Sequence, residues 1–163
     1  MMKRLLFSIV LIGTIVCLST SCNNQKHITN FDKVESFKKD NECSIQIICD
    51  YLLKSEYDSV YINDANGQMY AGFEYIEIED PTVNDCIKSL WKEKCKKITR
   101  ITENNAITFR LGQTLIEGIE YGLAYPINDT SEIRVQFQTE LIPLYNSKYY
   151  YYVSDYNEWR ISH

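Results

Sequence analysis

Histidine is nearly absent from this chain. Only His27 and His163 occur, the second as the last residue. A Ser-His or Cys-His hydrolytic site needs an imidazole held within hydrogen-bond reach of its nucleophile. Neither position is well placed for that. The sequence contains no C-x-x-C and no paired histidines, so the usual ligand set for zinc is missing. No metal and no cofactor is expected. Basic residues are also scarce: 17 Lys and Arg stand against 22 Asp and Glu, a formal net charge of −5. That excludes a general nucleic-acid binder, which needs a basic footprint. It argues equally against electrostatic docking on anionic lipid. Long apolar runs are missing too. The stretch from Leu5 to Leu18 is broken by Ser8, Gly13 and Thr14, and it falls short of the roughly 20 residues a membrane-spanning helix needs.

The amino terminus carries a different signal. Lys3 and Arg4 form a positive start, the apolar run follows, and the small polar residues Ser19-Thr20-Ser21 precede Cys22. That is the order of n-region, h-region and cleavage site in a secretory signal. Residues 1–22 resemble bacterial lipoprotein signals, in the looser form in which Leu18 stands four residues before the cysteine and Ser19, not Leu, three before it. The resemblance implies removal of residues 1–21, a lipid on Cys22 and a mature chain anchored in the cell envelope. Asn23-Asn24-Gln25-Lys26 form no acidic cluster after the cysteine, which points to the periplasm-facing side. Ordinary signal cleavage would cut the same bond and leave Cys22 bare. Each buried acyl CH₂ contributes roughly 0.8 kcal/mol, and one chain binds a membrane only marginally. The two or three chains of a lipoprotein cysteine, by the same resemblance, make a stable anchor. Loss of Lys3 and Arg4 leaves 15 basic residues against 22 acidic ones.

The mature length suits one domain with its own core. Residues 22–40 are mostly polar and are expected to be the lipidated cysteine and a tether; residues 41–163 are expected to form a single domain. Asp40-Asn41 offers a helix N-cap. Ile45, Ile48, Cys49 and Leu52 then share one helical face, which predicts a helix over 41–54. Alternation predicts a strand near 57–63, and Asn66-Gly67 is a strong hairpin turn before a return strand over 69–78. Asp80-Pro81 starts a second helix, expected over 81–96. Further strands are expected near 97–102, 106–111, 119–125, 132–141 and 149–153, with Trp159-Arg160-Ile161 as a short last one. The expected fold is α+β, in the order α-β-β-α-β-β-β-β. It is a curved antiparallel sheet with two amphipathic helices packed on one face.

Four cysteines remain in the domain: Cys43, Cys49, Cys86 and Cys95. An envelope location permits disulfides. Pairing within one intact helix is excluded, because six or nine residues put the Cα atoms roughly 9 or 13 Å apart. Cys49–Cys86 with Cys43–Cys95, or Cys43–Cys86 with Cys49–Cys95, remain open, as does the bland alternative of four small buried hydrophobes. Acidic residues cluster at Glu74, Glu77, Glu79, Asp80 and Asp85, with a second pair at Glu117 and Glu120. Two carboxylates can run acid–base chemistry when their surroundings push their pKa values apart, but a solvated strand face explains them more simply. Asn63-Asp64-Ala65-Asn66-Gly67 faintly suggests a calcium loop and is better explained as a turn. Lys88, Lys92 and Lys96 recur every four residues, with Lys94, Lys97 and Arg100 nearby, and cations there offset the helix dipole.

Tyr149 to Tyr152 are successive, and a strand points two of them each way. Tyrosine joins apolar area to a polar tip and is favoured at interfaces. Tyr150, Tyr152, Tyr156 and Trp159 are therefore the expected binding surface. The chain is expected to be a non-catalytic, lipid-anchored binding module for an envelope protein, peptide or glycan. A carboxylate-dependent enzyme, and a structural or inhibitor lipoprotein capping another envelope protein, are the alternatives.

Overall fold

The computed structural model describes residues 30–114, 118–129 and 131–163. The signal segment, Cys22 and Glu117 lie outside the described residues. The chain divides into two compact units, Met1–Lys33 and Val34–His163. The fold that follows is that of the second.

Helix α1 is described over residues 30–53. Val34, Phe37, Ile45, Ile48, Cys49 and Leu52 are buried along it, and their spacing makes one continuous stripe. The helix therefore starts well before residue 41. Val34 and Phe37 extend the apolar face backwards into what the polar composition marks as tether. Asn41 is no cap. It sits inside the helix, where its Nδ2 donates to the Phe37 carbonyl at 2.9 Å.

Eight strands form one antiparallel sheet: β1 (Ser59–Ile62), β2 (Gln68–Ala71), β3 (Glu74–Glu77), β4 (Lys97–Ile101), β5 (Ala106–Gln113), β6 (Glu120–Pro126), β7 (Gln138–Pro143) and β8 (Tyr150–Ser154). Their spatial order is β3-β2-β1-β4-β5-β6-β8-β7. Helix α2 (Pro81–Lys92) lies between β3 and β4, and α3 (Tyr156–Ser162) ends the chain. The α+β class and the antiparallel pairing agree with the sequence expectation; several boundaries do not. The expected strand 69–78 is two strands, because Gly72 takes φ +61 and the chain reverses before Glu74. Helix α2 stops at Lys92. Lys94 adopts φ +77, and the Cys95 amide returns to the Leu90 carbonyl at 2.9 Å, ending the helix and drawing Cys95 into the core. Of the strand expected over 132–141, only the part from Gln138 onward is extended and paired. Phe137 at φ +55 breaks the extended path. Residues 159–161 are helical rather than extended, because Asp155 caps α3 by accepting from the amides of Asn157 and Glu158.

The register sorts side chains onto two faces. Ile62, Ile98, Phe109, Leu123 and Tyr151 align across five strands, and all are fully buried. This is the core face. Val83, Ile87 and Leu90 of α2 are buried as well. Tyr149 touches α1: its hydroxyl bonds Gln46 at 3.2 Å, and the Lys38 ammonium stands 5.4 Å from its ring centre. The opposite face carries Tyr61, Thr99, Thr108, Ala124 and Tyr150 in one row, and Lys97, Arg110, Gly122 and Tyr152 in the next.

Gly122 sits on β6 where a side chain has no room beside β5. A Cβ there would collide with the Phe109 carbonyl oxygen and crowd the Tyr152 ring. Gly122→Ala is expected to cost about 1–3 kcal/mol through overpacking, read as a lower urea midpoint with an unchanged slope. A neutral result would show that the two strands can part without penalty.

Candidate functional site

The face opposite the core is partly roofed by the segment 131–137. Ile133 folds down onto Ala106, Ala124 and Tyr152 as a second, smaller apolar cluster. Three sets of polar contacts hold the roof. The Arg134 amide donates to the Asn104 carbonyl at 2.8 Å. Ser154 Oγ donates to the Gln136 carbonyl at 2.6 Å, and the Asp155 amide to the Phe137 carbonyl at 2.9 Å. Asn105, buried and at φ +51, donates through Nδ2 to the carbonyls of Asn128 and Ser131 at 2.8 and 2.7 Å. Its Oδ1 accepts from the Asn128 amide at 2.7 Å. Phe137 packs edge-on against Tyr156 and Trp159, with ring centres 4.9 and 5.3 Å apart.

Between roof and sheet lies a cleft of about 290 Å³, at the lower end of ligand-pocket sizes. Its sheet side carries Tyr61, Thr99, Thr108 and Tyr152; its rim carries Phe137 and Tyr156. Four charged side chains line it: Lys97, Arg110, Arg134 and Glu120. Arg110 Nη1 meets Glu120 Oε1 at 2.6 Å. A bulge after Arg110 and the diagonal register put Glu120 within reach. Arg110 Nε is buried without a hydrogen-bond partner. Lys97 faces Arg110 directly across the β4–β5 ladder, and its ammonium stands 5.0 Å from the Tyr61 ring centre. Burial first, and the Arg110 charge second, hold the Lys97 pKa below the usual lysine range. Burial likewise pushes the Tyr152 phenol up, keeping it neutral.

No known protein family, curated protein or solved structure matches the chain. The cleft is therefore judged on its own chemistry. It offers rings to stack on, hydroxyls, and more positive than negative charge.

The structure brings only part of the expected tyrosine surface together. Tyr152 and Tyr156 line the cleft. Tyr152 is a buried wall rather than an exposed contact, whereas Tyr156 is open to solvent. Tyr150 packs against the second apolar cluster. Trp159 is turned towards Phe137 and stacks on His163 at 5.0 Å. Tyr149 and Tyr151 belong to the core face and are buried.

The acidic cluster at 74–85 lies away from the cleft. Glu74, Glu77 and Glu79 are exposed, Asp80 caps α2, and Asp85 pairs with Lys88 at 3.5 Å. Asp64 Oδ1 accepts from the Asn66 amide at 2.8 Å, as a turn requires. The lysine series also disperses. Lys97 enters the cleft, while Arg100 is buried on the core face and bonds the Tyr57 carbonyl. Cys43, Cys49, Cys86 and Cys95 all carry free thiols, Cys49 and Cys95 deep in the core. Sequence reasoning missed Lys97 and Arg110 as members of one site, and Asn105 as the residue that ties down its roof. A hairpin closed through 103–105 places Lys97 opposite Arg110, and two like charges facing each other on a ladder were the available signal.

Proposed function

We propose that the protein is a lipid-anchored, periplasm-facing envelope module that binds a ligand non-catalytically in this cleft. In this reading both long helices cover the core face of a curved sheet, which leaves the opposite face for recognition. The observation that carries it is the roofed cleft itself, where rings and polar groups converge over a rigid antiparallel floor. Among the described residues no helix is long and apolar enough to cross a membrane; the anchor in this reading is lipid on Cys22.

Two measurements test the two halves. Acyl-label incorporation is expected in the wild type and lost in Cys22→Ser, with the variant moving to the soluble fraction. Label retained in the variant would remove the anchor. A photo-crosslinking residue at Gln136, exposed on the cleft, is expected to give a discrete adduct in cells. One at Lys88, outside the cleft, is not. Identical adducts from both positions would count against the cleft.

A second reading, a carboxylate-dependent enzyme, gains one observation: Glu120 lines the cleft. Its carboxylate is already engaged by Arg110 at 2.6 Å, which suits a structural ion pair better than a group free to meet a substrate.

A further inference from the structure

We propose that the cleft is specific for a small monoanionic carboxylate, whose oxygens lie between Lys97 and Arg110 and whose body lies against the tyrosine rings. This rests on the binding reading above and names the ligand class.

Three observations converge. First, the local charge opposes the global one. Among the described residues Lys97, Arg110 and Arg134 line the cleft with Glu120 as the one acid, Arg134 also meeting Glu132 at 3.8 Å outside the lining, in a chain with formal net charge −5. Second, the two cations nearest the floor are incompletely matched. Among the described residues no carboxylate oxygen lies within 4.0 Å of Lys97 Nζ, and its neighbour across the ladder is a second cation. Arg110 spends Nη1 on Glu120 and Gln113, and its side chain stays 23 % exposed in the cleft lining. Third, the walls are aromatic, with Tyr61, Tyr152 and Tyr156 in the lining. They offer ring faces on which the body of the ligand can lie.

Glu120 decides the class of anion. Its fixed negative charge beside Arg110 repels a phosphate dianion more strongly than a carboxylate. A flat carboxylate also matches the guanidinium and ammonium pair in size and geometry.

The test uses the full chain in non-ionic detergent, titrated with benzoate and glucuronate, with inorganic phosphate, and with the neutral analogues benzamide and glucose. Saturable calorimetric binding is expected for at least one carboxylate, weaker binding for phosphate, and the weakest for the neutral analogues. Lys97→Met keeps an unbranched side chain of nearly the same length and breaks no ion pair among the described residues. It is expected to weaken carboxylate binding by tenfold or more, as loss of a hydrogen bond to a charged group does, and Lys97→Arg to retain most of it. A circular-dichroism melt confirms that each variant is folded. If Lys97→Met is not folded, Lys97→Gln serves in its place. Phosphate binding as tightly as the carboxylates, or neutral analogues doing so, would overturn the carboxylate assignment while leaving a binding cleft. Binding unaffected at Lys97 would overturn the location. No heat from any probe would overturn the carboxylate assignment, while the Gln136 crosslink decides the binding reading separately.

Discussion

Replacing Asn105 with alanine is expected to lower stability by about 4–5 kcal/mol, a large share of what a domain this size holds in reserve. Asn105 follows the β4 strand in a tight turn, and its backbone takes a left-handed conformation. There an Asn is tolerated far better than an Ala. Its side chain makes three hydrogen bonds to the segment that starts the roof. Its backbone adds two more, from its own amide to Thr102 and from the Ile127 amide to its carbonyl. Each lost side-chain bond costs about 1 kcal/mol, and the left-handed strain adds about 1–2 kcal/mol. Asn105→Gly is expected to recover the strain and none of the bonds. Urea unfolding of the three proteins measures the difference. Hydrogen exchange at Ile127 and Arg134 then shows whether the roof has come loose ahead of the sheet. A loss under about 1 kcal/mol in Asn105→Ala would mean that the roof is held elsewhere.

Alkaline unfolding is the second large effect. Burial pushes the Cys95 thiol up to about 12 and raises Cys49 and Tyr152 as well. These groups are protonated and neutral in the folded protein. In the unfolded chain they ionise from their ordinary values of 9.0 for the thiols and 10.0 for the phenol. Their contribution is therefore complete below pH 9 and is lost as the pH rises from there towards the folded-state values. Each group costs about 1.4 kcal/mol per pH unit once its unfolded form titrates. By pH 11 the three together remove roughly 7 kcal/mol, comparable with the whole stability of a small domain. A cooperative loss of structure between pH 9 and 12 is expected by circular dichroism, with Cys49→Ala and Cys95→Ala each flattening the slope. A domain that keeps its stability through pH 11.5 would show that the thiols reach solvent without unfolding.

The elements legible in the sequence were those written by local periodicity or by a cap. The α2 start at Asp80-Pro81, the alternation in β5 and β6, and the hairpin turn at Asn66-Gly67 all read correctly, because each depends on residues within one turn of one another. The errors share a cause. The N-cap at Asp40-Asn41 lost to Val34 and Phe37, which lengthen the buried stripe of α1 and outweigh a capping preference. The alternation over 132–137 looked like a strand, but Ile133 is buried in the second apolar cluster and Phe137 turns the chain out of the extended path. The tyrosine run was correctly divided between two faces. Which face met water, and which met a roof, was not in its pattern.

Composition and local spacing alone determined the α+β class and the antiparallel sheet, since periodicity and residue inventory are short-range properties. The tertiary structure alone decided that Lys97, Arg110, Glu120 and Tyr152 line one cleft. Those residues come from four strands, and only the ladder register and a bulge in β5 bring them together. Register is set by burying the opposite face of the same strands, so the site is a by-product of the core.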